Sequence, residues 1–342
     1  MNYRKAFSLV ELLVVIGIIA LLMALILPAI QRVRESSNML LCANSLRQLG
    51  LAAQSYHGDY NCLPPGYLGP SIANQTDPAK FVKEGQWVGH LPLLLPYLEQ
   101  DVLLSRLKVQ WGLKEVSPLL WSWKSASQLP NEENYLVGKT NLSILCCPSA
   151  AKYDPIAGNP RSGGTILGLH VYSDKTNVIT SFWIGDYLQA SEYKFLAKTN
   201  YLGSAGCGVG DNAEYSRYQG VYTNRSKATL AQIANADGAS NTLLYGESAQ
   251  VEKFDICWVG GGAMGTYQGL KSSSSSSFTS FSSFHIAGSQ FCFADGTVRL
   301  VRYGKTSFWN GTPSGNPQDW LTLQQLAGWK DGQVATLSSL ID

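Results

Sequence analysis

Charge is scarce in this chain. Only 15% of its 342 residues are Asp, Glu, Lys or Arg, against about 25% in an average globular protein. The 26 basic and 24 acidic residues leave a net charge of +2. No basic field exists to hold phosphates, which excludes a nucleic-acid partner held by bulk charge. Hydrophobic content of 45% excludes an acidic disordered chain, and no heptad pattern marks a fibre. Long apolar runs are also rare. There is one, which excludes a polytopic membrane protein. Histidine is limited to positions 57, 90, 170 and 285. C-x-x-C, H-E-x-x-H and G-x-S-x-G are missing, so no local motif marks a metal or a nucleophile elbow. The chain is instead rich in glycine (33), tryptophan (9) and tyrosine (17). Its length is about two domains' worth and ample for a sizeable core.

The one apolar run lies near the N-terminus. Leu12–Gln31 is 20 residues without a charge, and as a helix it spans roughly 30 Å, one hydrocarbon core. Arg4 and Lys5 precede it, which places the N-terminus in the cytoplasm and the bulk of the chain outside. A secretory signal peptide would have a shorter apolar region and an A-x-A-like site after it. Here the run ends Ile26-Leu27-Pro28-Ala29-Ile30. A plain anchor helix leaves Glu11 unexplained, because a carboxylate near the bilayer centre costs about 2.5–3.5 kcal/mol.

The run Arg4-Lys5-Ala6-Phe7-Ser8-Leu9-Val10-Glu11-Leu12 resembles the cleavage and methylation signal of type IV pilins and type II secretion pseudopilins. The resemblance implies a cut between Ala6 and Phe7 by a prepilin peptidase/methyltransferase of the inner membrane, followed by N-methylation of Phe7. Glu11 becomes the fifth mature residue, which in that family pairs with the N-terminal amine of a neighbouring pilin-like subunit. Ala6 is a departure, since the family usually has Gly there. The pairing is physically coherent: each charge is costly alone in lipid, and pairing removes both penalties.

Beyond the membrane the helix is expected to continue to about Tyr56. Val33, Leu40, Ala43, Leu46, Leu49, Ala53 and Tyr56 recur at mostly three- and four-residue steps, an apolar stripe for packing on a head. Pro28 is expected to kink it, and Gly58 with Pro64-Pro65 to end it. The organisation read from the sequence is a leader at 1–6, a membrane half at 7–30, an exposed half at 31–57 and an exported head at 58–342. The fold class is α+β: a long pilin-like transmembrane helix followed by a large, mainly antiparallel β head with short helices. Strand-like runs are Leu142–Leu145, Val178–Ile184, Thr242–Tyr245, Asp255–Val259, Gln290–Ala294 and Thr297–Val301. Asp295-Gly296 between the last two signals a two-residue hairpin turn, with Phe291 and Phe293 on one face and Cys292 and Ala294 on the other. The serine run after Lys271 reads as a mobile low-complexity loop over 271–283.

Several stretches beyond the membrane run also follow one another in a familiar order. They are Asn44–Leu51 with Tyr56-His57 and Leu63–Gly66, then Leu93–Gln100, Leu145–Ser149, Thr199–Gly203 and Asp237–Glu247, then Ser283-Phe284-His285 with Phe293–Arg299. This order resembles an uncharacterised family that couples a pilin-type N-terminus to a head ending in an H-x9-DG motif. Here the motif is His285, Asp295 and Gly296. The paired Cys146-Cys147 departs from the single cysteine usual there.

Chemistry elsewhere is thin. Cys42, Cys62, Cys146, Cys147, Cys207, Cys257 and Cys292 are disulfide candidates in an exported, oxidising setting, and the odd count leaves at least one free if all pairs are internal. Gly260–Gly265 fits G-x-G-x-x-G in form, but no helix is expected after it. Gly138-Lys139-Thr140 and Gly304-Lys305-Thr306 mimic the end of a P-loop without its first glycine. His285 and Asp295 form a conceivable catalytic pair, although the hairpin puts Asp295 at a turn tip and leaves His285 bonding to backbone. Asp237-Gly238 with Ser240 and Asn241 is a conceivable Ca2+ loop, although turn chemistry alone accounts for it. Otherwise no cofactor or metal is expected. The tryptophans suit either core packing or a sugar-stacking surface. The reading is therefore a non-enzymatic, single-pass inner-membrane protein with its head in the periplasm or at the cell surface. It would serve as a structural subunit or minor component of a type IV pilus or secretion pseudopilus. The alternative is a membrane-tethered solute- or glycan-binding protein, for which a deep pocket lined by Trp and Tyr would speak. An enzyme would need His285 clustered with acids in a cleft.

Overall fold

A computed structural model describes residues 9–69, 85–114, 132–153, 164–173, 178–184, 196–210, 213–249, 254–272, 279–307, 315–333, 335 and 340–341. The first element is α1, Leu9–Tyr60, of 52 residues and about 78 Å. Helix formers fill its exposed half, and it runs through Pro28 as one element. It stops where Asn61 turns left-handed, at φ 55, and donates its N–H to the His57 carbonyl at 2.8 Å, a common helix C-terminus.

The head follows in short elements. Helices α2 (Asp101–Arg106) and α3 (Glu132–Gly138) precede strands β1 (Gly164–Ser173), β2 (Val178–Ile184), β3 (Tyr201–Gly206) and β4 (Val209–Gly210). Then come α4 (Ala213–Ser216), α5 (Leu230–Asn235), β5 (Leu243–Glu247), β6 (Phe254–Ile256), β7 (Ala263–Gly265), β8 (Lys271–Ser272) and β9 (Ser282–Ser283). Strands β10 (Gly288–Phe293) and β11 (Val298–Arg302) and helix α6 (Gln318–Ala327) complete the list. The central sheet has five strands in the order β11-β10-β5-β3-β7. Its first three pairings are antiparallel, and β3–β7 is parallel. A second sheet runs β2-β1-β4, with β6 also paired to β1. The fold is α+β, with more parallel pairing than the strand-like runs alone predict.

Alternation along β10 divides the core. Cys292 and Ala294 join Cys42, Leu46, Leu49 and Ala53 of α1 in one cluster. Phe291 and Phe293 join Leu243, Leu323 and Leu326 in the other, on the α6 side. The central sheet is thus covered by α1 on one face and α6 on the other. Strands β3, β5 and β10 are buried on both faces, which is why their sequences alternate weakly.

The β10–β11 connection corrects one detail. Gly296 alone has positive φ there, +83. Phe293 accepts from Gly296 N–H and donates to the Thr297 carbonyl, both at 2.9 Å. This is a turn closed by a glycine bulge rather than a two-residue turn. Leu142–Leu145 is not a strand: Ser143–Leu145 forms a short 3-10 turn. The ends of the serine-rich stretch are paired, since β8 and β9 run side by side, and its middle, 273–278, lies outside the described residues.

The apolar stripe of α1 also differs from the periodic reading. Leu46, Leu49, Ala53 and Tyr56 are buried as expected, but Val33 and Leu40 are exposed, at 69% and 72%. In that stretch the face turned to the head is Glu35, Asn38 and Cys42, three and four residues apart. The head offers polar groups there: Asn38 Nδ2 donates to Ser149 Oγ at 3.1 Å, and Ser149 Oγ donates to Glu35 Oε2 at 3.3 Å. Lower down, Gly50 lets the helix approach β10 closely, and Gln54 Nε2 donates to the Ala294 carbonyl at 3.0 Å.

Candidate functional site

Two features of α1 carry chemistry. The first is its outer half. From Leu9 to Ile30 its side chains are exposed, among them Leu9 at 77% and Leu25 at 66%. This is the one helix among the described residues long and apolar enough to cross a membrane. Glu11 sits exposed in its first turn. The cleavage positions Ala6 and Phe7 lie outside the described residues. So much exposed apolar surface needs lipid or neighbouring helices around it.

The second feature is a buried cluster at the foot of the exposed half. Cys42 of α1, Cys147, Glu247 at the end of β5 and His285 just after β9 place one donor atom each within 4.8 Å of all the others. The Cys42 and Cys147 sulfurs are 2.8 Å apart. His285 Nε2 stands 3.5 Å from Glu247 Oε1, and neither atom has a hydrogen-bond partner. The opposite atom of each side chain is tied down. His285 Nδ1 lies 2.6 Å from Glu35 Oε1. Glu247 Oε2 accepts from Ser283 Oγ at 2.8 Å and from the Gln290 N–H at 3.0 Å. The Cys147 N–H donates to Asn200 Oδ1 at 3.0 Å, and Asn200 Nδ2 donates to the Ser248 carbonyl at 3.0 Å. His285 and Glu247 are thus held in place from behind by their side chains, and Cys147 through its backbone.

The cluster is electrostatically unusual. Cys147 is brought down to about 6, first by the hydrogen bond from Cys42, against burial. Cys42 is pushed far above the thiol range by that same contact and by burial. The same short contact thus moves the two thiols in opposite directions. Burial opposes charge on His285, but the Cys147 sulfur and the Glu247 and Glu35 carboxylates outweigh it and raise the imidazole to about 11. A thiolate beside an imidazolium is potent chemistry in an open cleft. Here Cys42, Cys147, Glu247 and His285 are 0%, 5%, 2% and 1% exposed, so a substrate has no approach. His285 does cluster with acids, but in the core.

The other candidates resolve separately. Asp295 stays in the hairpin turn, accepting from Thr297 N–H at 2.8 Å and Thr297 Oγ1 at 2.7 Å. It does not meet His285, so the catalytic-pair reading fails. The His285 side chain faces carboxylates rather than backbone. Gly296 supplies the positive φ of that turn. Burial pushes the thiols of Cys207, Cys257 and Cys292 up. Cys146 donates to Asn141 Oδ1 at 3.3 Å, and Cys62 is half-buried. The Asp237 carboxylate accepts from the Asp331 and Gly332 N–H groups at 3.1 and 2.9 Å, so it serves a turn. The glycine run leads into β7, with no helix after it. A Cβ on Gly262 would strike the Leu169 carbonyl, so these glycines serve close packing. At Gly304-Lys305-Thr306 a carboxylate, Asp319 Oδ2, already accepts the Lys305 N–H at 2.7 Å. Trp87, Trp258 and Trp320 are fully buried. A cleft of about 450 Å3 beside α1 is lined by Gln48, Leu51, Ser55, Tyr97 and their neighbours, with no tryptophan.

Comparison with known families now bears on this geometry. Residues 31–264 match the family described as Protein of unknown function (DUF1559). The chain belongs to that family. Residues 1–27 match a prokaryotic N-terminal methylation motif. No curated protein and no solved structure matches the chain. With its methylation motif, this DUF1559 member is a type IV pilin-like exported chain, anchored at a membrane by its apolar helix. The motif implies processing by a prepilin peptidase and membrane assembly with pilin-like subunits. Family and motif point to a structural role rather than an enzymatic one.

Within the DUF1559 match lie Glu35, Cys42, Cys147 and Glu247, and His285 follows it. The sequence reading missed this cluster. Glu35 is one charged residue on a long helix, and Glu247 is only the last residue of the stretch Asp237–Glu247. One signal was present: Leu145–Ser149, Asp237–Glu247 and Ser283–His285 each carry at least one donor-type residue. Local spacing rules cannot see a set drawn from four distant segments.

Proposed function

We propose that this chain is a structural subunit or minor component of a type IV pilus or type II secretion-like pseudopilus. Its head would lie outside the inner membrane and its N-terminus in the cytoplasm. The observation that carries the reading is the division of α1. Cys42, Leu46, Leu49, Ala53 and Tyr56 are buried in the head core, while Leu9–Ile30 is exposed and carries Glu11 in its first turn. A rigid apolar rod on a bulky head is suited to lateral packing in a filament. Glu11 would pair with the mature N-terminal amine of a neighbour, which removes two desolvation penalties at once and fixes the axial stagger. Arg4 and Lys5 support the orientation.

The test is Glu11→Ala in cells that process the wild-type chain. The variant should fractionate with membranes as before, yet yield no filament and no ladder of cross-linked subunits. Wild-type assembly of Glu11→Ala would refute the mechanism.

A further inference from the structure

We propose that Cys42, Cys147, Glu247 and His285 form a closed tetrahedral site for one divalent zinc-like ion, stapling α1 to the head. The donor set is two thiolates, one imidazole and one carboxylate, a set that suits Zn2+. An ion at about 2.0–2.3 Å from each donor needs donors about 3.3–3.8 Å apart. Nε2 and Glu247 Oε1 already stand at 3.5 Å. The sulfurs, at 2.8 Å, need to part by about 1 Å, a small χ1 adjustment.

Two further observations point to an ion. The first is the pair of buried atoms His285 Nε2 and Glu247 Oε1, which face each other at 3.5 Å without a hydrogen bond and lie within 4.8 Å of both sulfurs. Leaving such atoms bare is costly unless something fills the space between them. The second is the support behind them. Glu35 holds His285 Nδ1, the carboxylate–histidine arrangement that fixes an imidazole for metal binding through its other nitrogen. Ser283 and the Gln290 N–H hold the far oxygen of Glu247 and leave Oε1 free. A Cys42–Cys147 disulfide would account for the sulfurs alone and leave Nε2 and Oε1 with no hydrogen bond, only their 3.5 Å ion pair.

The consequence is mechanical. The ligands come from α1, the turn after Leu145, β5 and the segment after β9, so the ion ties α1 to three separate segments of the head. Metal binding then becomes part of the folding free energy of that joint. Glu35 is a positioning residue that acts through His285.

The test uses the full chain in detergent, purified with its thiols kept reduced by a non-chelating phosphine, while a parallel sample alkylated at lysis serves only to map disulfides. Elemental analysis should find one zinc per chain. The metal-free protein titrated with Co2+ alone should show the intense visible bands of tetrahedral cobalt with thiolate-to-metal charge transfer. Cys147→Ser and His285→Ala should lose stoichiometric binding. Glu35→Gln should keep the cobalt spectrum but bind about 10–100-fold more weakly. The cobalt experiment on the unmutated chain needs no variant to fold. A folded chain without stoichiometric metal, a pale octahedral cobalt spectrum, or a Cys42–Cys147 disulfide in peptides trapped at lysis would each overturn the proposal.

Discussion

Gly50 is where the spine helix touches the sheet most closely. A Cβ built there falls inside 3.0 Å of Cys292 Sγ, but 4.0 Å from Cys292 Cβ and 3.9 Å from Gly296 Cα. The sulfur is therefore the sole obstacle among its nearest neighbours. In an open helix Gly→Ala stabilises by about 0.8–1 kcal/mol. Overpacking a full core costs about 1–3 kcal/mol, so Gly50→Ala in the wild-type background should be neutral to destabilising by about 2 kcal/mol. Cys292→Ala removes the sulfur and leaves ordinary contacts. In that background Gly50→Ala should stabilise by nearly the full helix increment. The double-mutant cycle, read from denaturant midpoints of the full chain in detergent, should give a coupling of about 1–3 kcal/mol. Additivity within about 0.5 kcal/mol, or a clear gain from Gly50→Ala alone, would refute the close helix–strand contact.

Two other sites make independent predictions. His90 is fully buried, stacked on Tyr222 at 4.8 Å and near Tyr245 at 5.4 Å, with Nδ1 3.3 Å from the Gly66 carbonyl. Burial pushes it down to about 4, against the Gly66 contact. The unfolded chain takes up this proton near 6.5. Its stability contribution is therefore present above about 6.5 and lost as pH falls toward 4, by about 3 kcal/mol in all. Urea unfolding at several pH values should show His90→Phe losing that share of the acid sensitivity, and parallel profiles would contradict it. Gly89→Ala would drive its Cβ into the Gly261 carbonyl. Backbone cannot yield there as a side chain can, so the loss should exceed about 3 kcal/mol, the upper range of ordinary overpacking. An unchanged melting temperature would show that the Gly89–Gly261 contact is not formed.

Much of this was legible in the sequence, and the failures share a cause. The long helix, its buried lower half and the β10–β11 hairpin rest on local signals: an uncharged run, helical spacing and Asp295-Gly296. Val33 and Leu40 misled because periodicity cannot weigh a polar partner. The head meets α1 with His285 and Ser149, so Glu35 and Asn38 turn inward and the two apolar residues face out. Tyr201–Gly206 and Ala263–Gly265 gave little signal because they are glycine-bearing and buried on both faces, and their parallel pairing is long-range. Leu142–Leu145 has the composition of a strand, but its N–H groups close a local turn, Leu145 to the Leu142 carbonyl and Cys146 to that of Ser143, instead of pairing with a neighbouring strand. The buried cluster was invisible for the same reason. Cys42 and Cys147 are 105 residues apart, and His285 and Glu35 are 250 apart. Only the fold brings them together.

The central claim is that the chain enters the membrane and assembles as a pilin does, which starts with its N-terminus. Mass spectrometry of the chain isolated from its native membranes reads this directly. The account predicts an N-terminal peptide beginning at N-methylated Phe7, with Met1–Ala6 removed. A chain that still begins at Met1, or one cut after the apolar run, would contradict it.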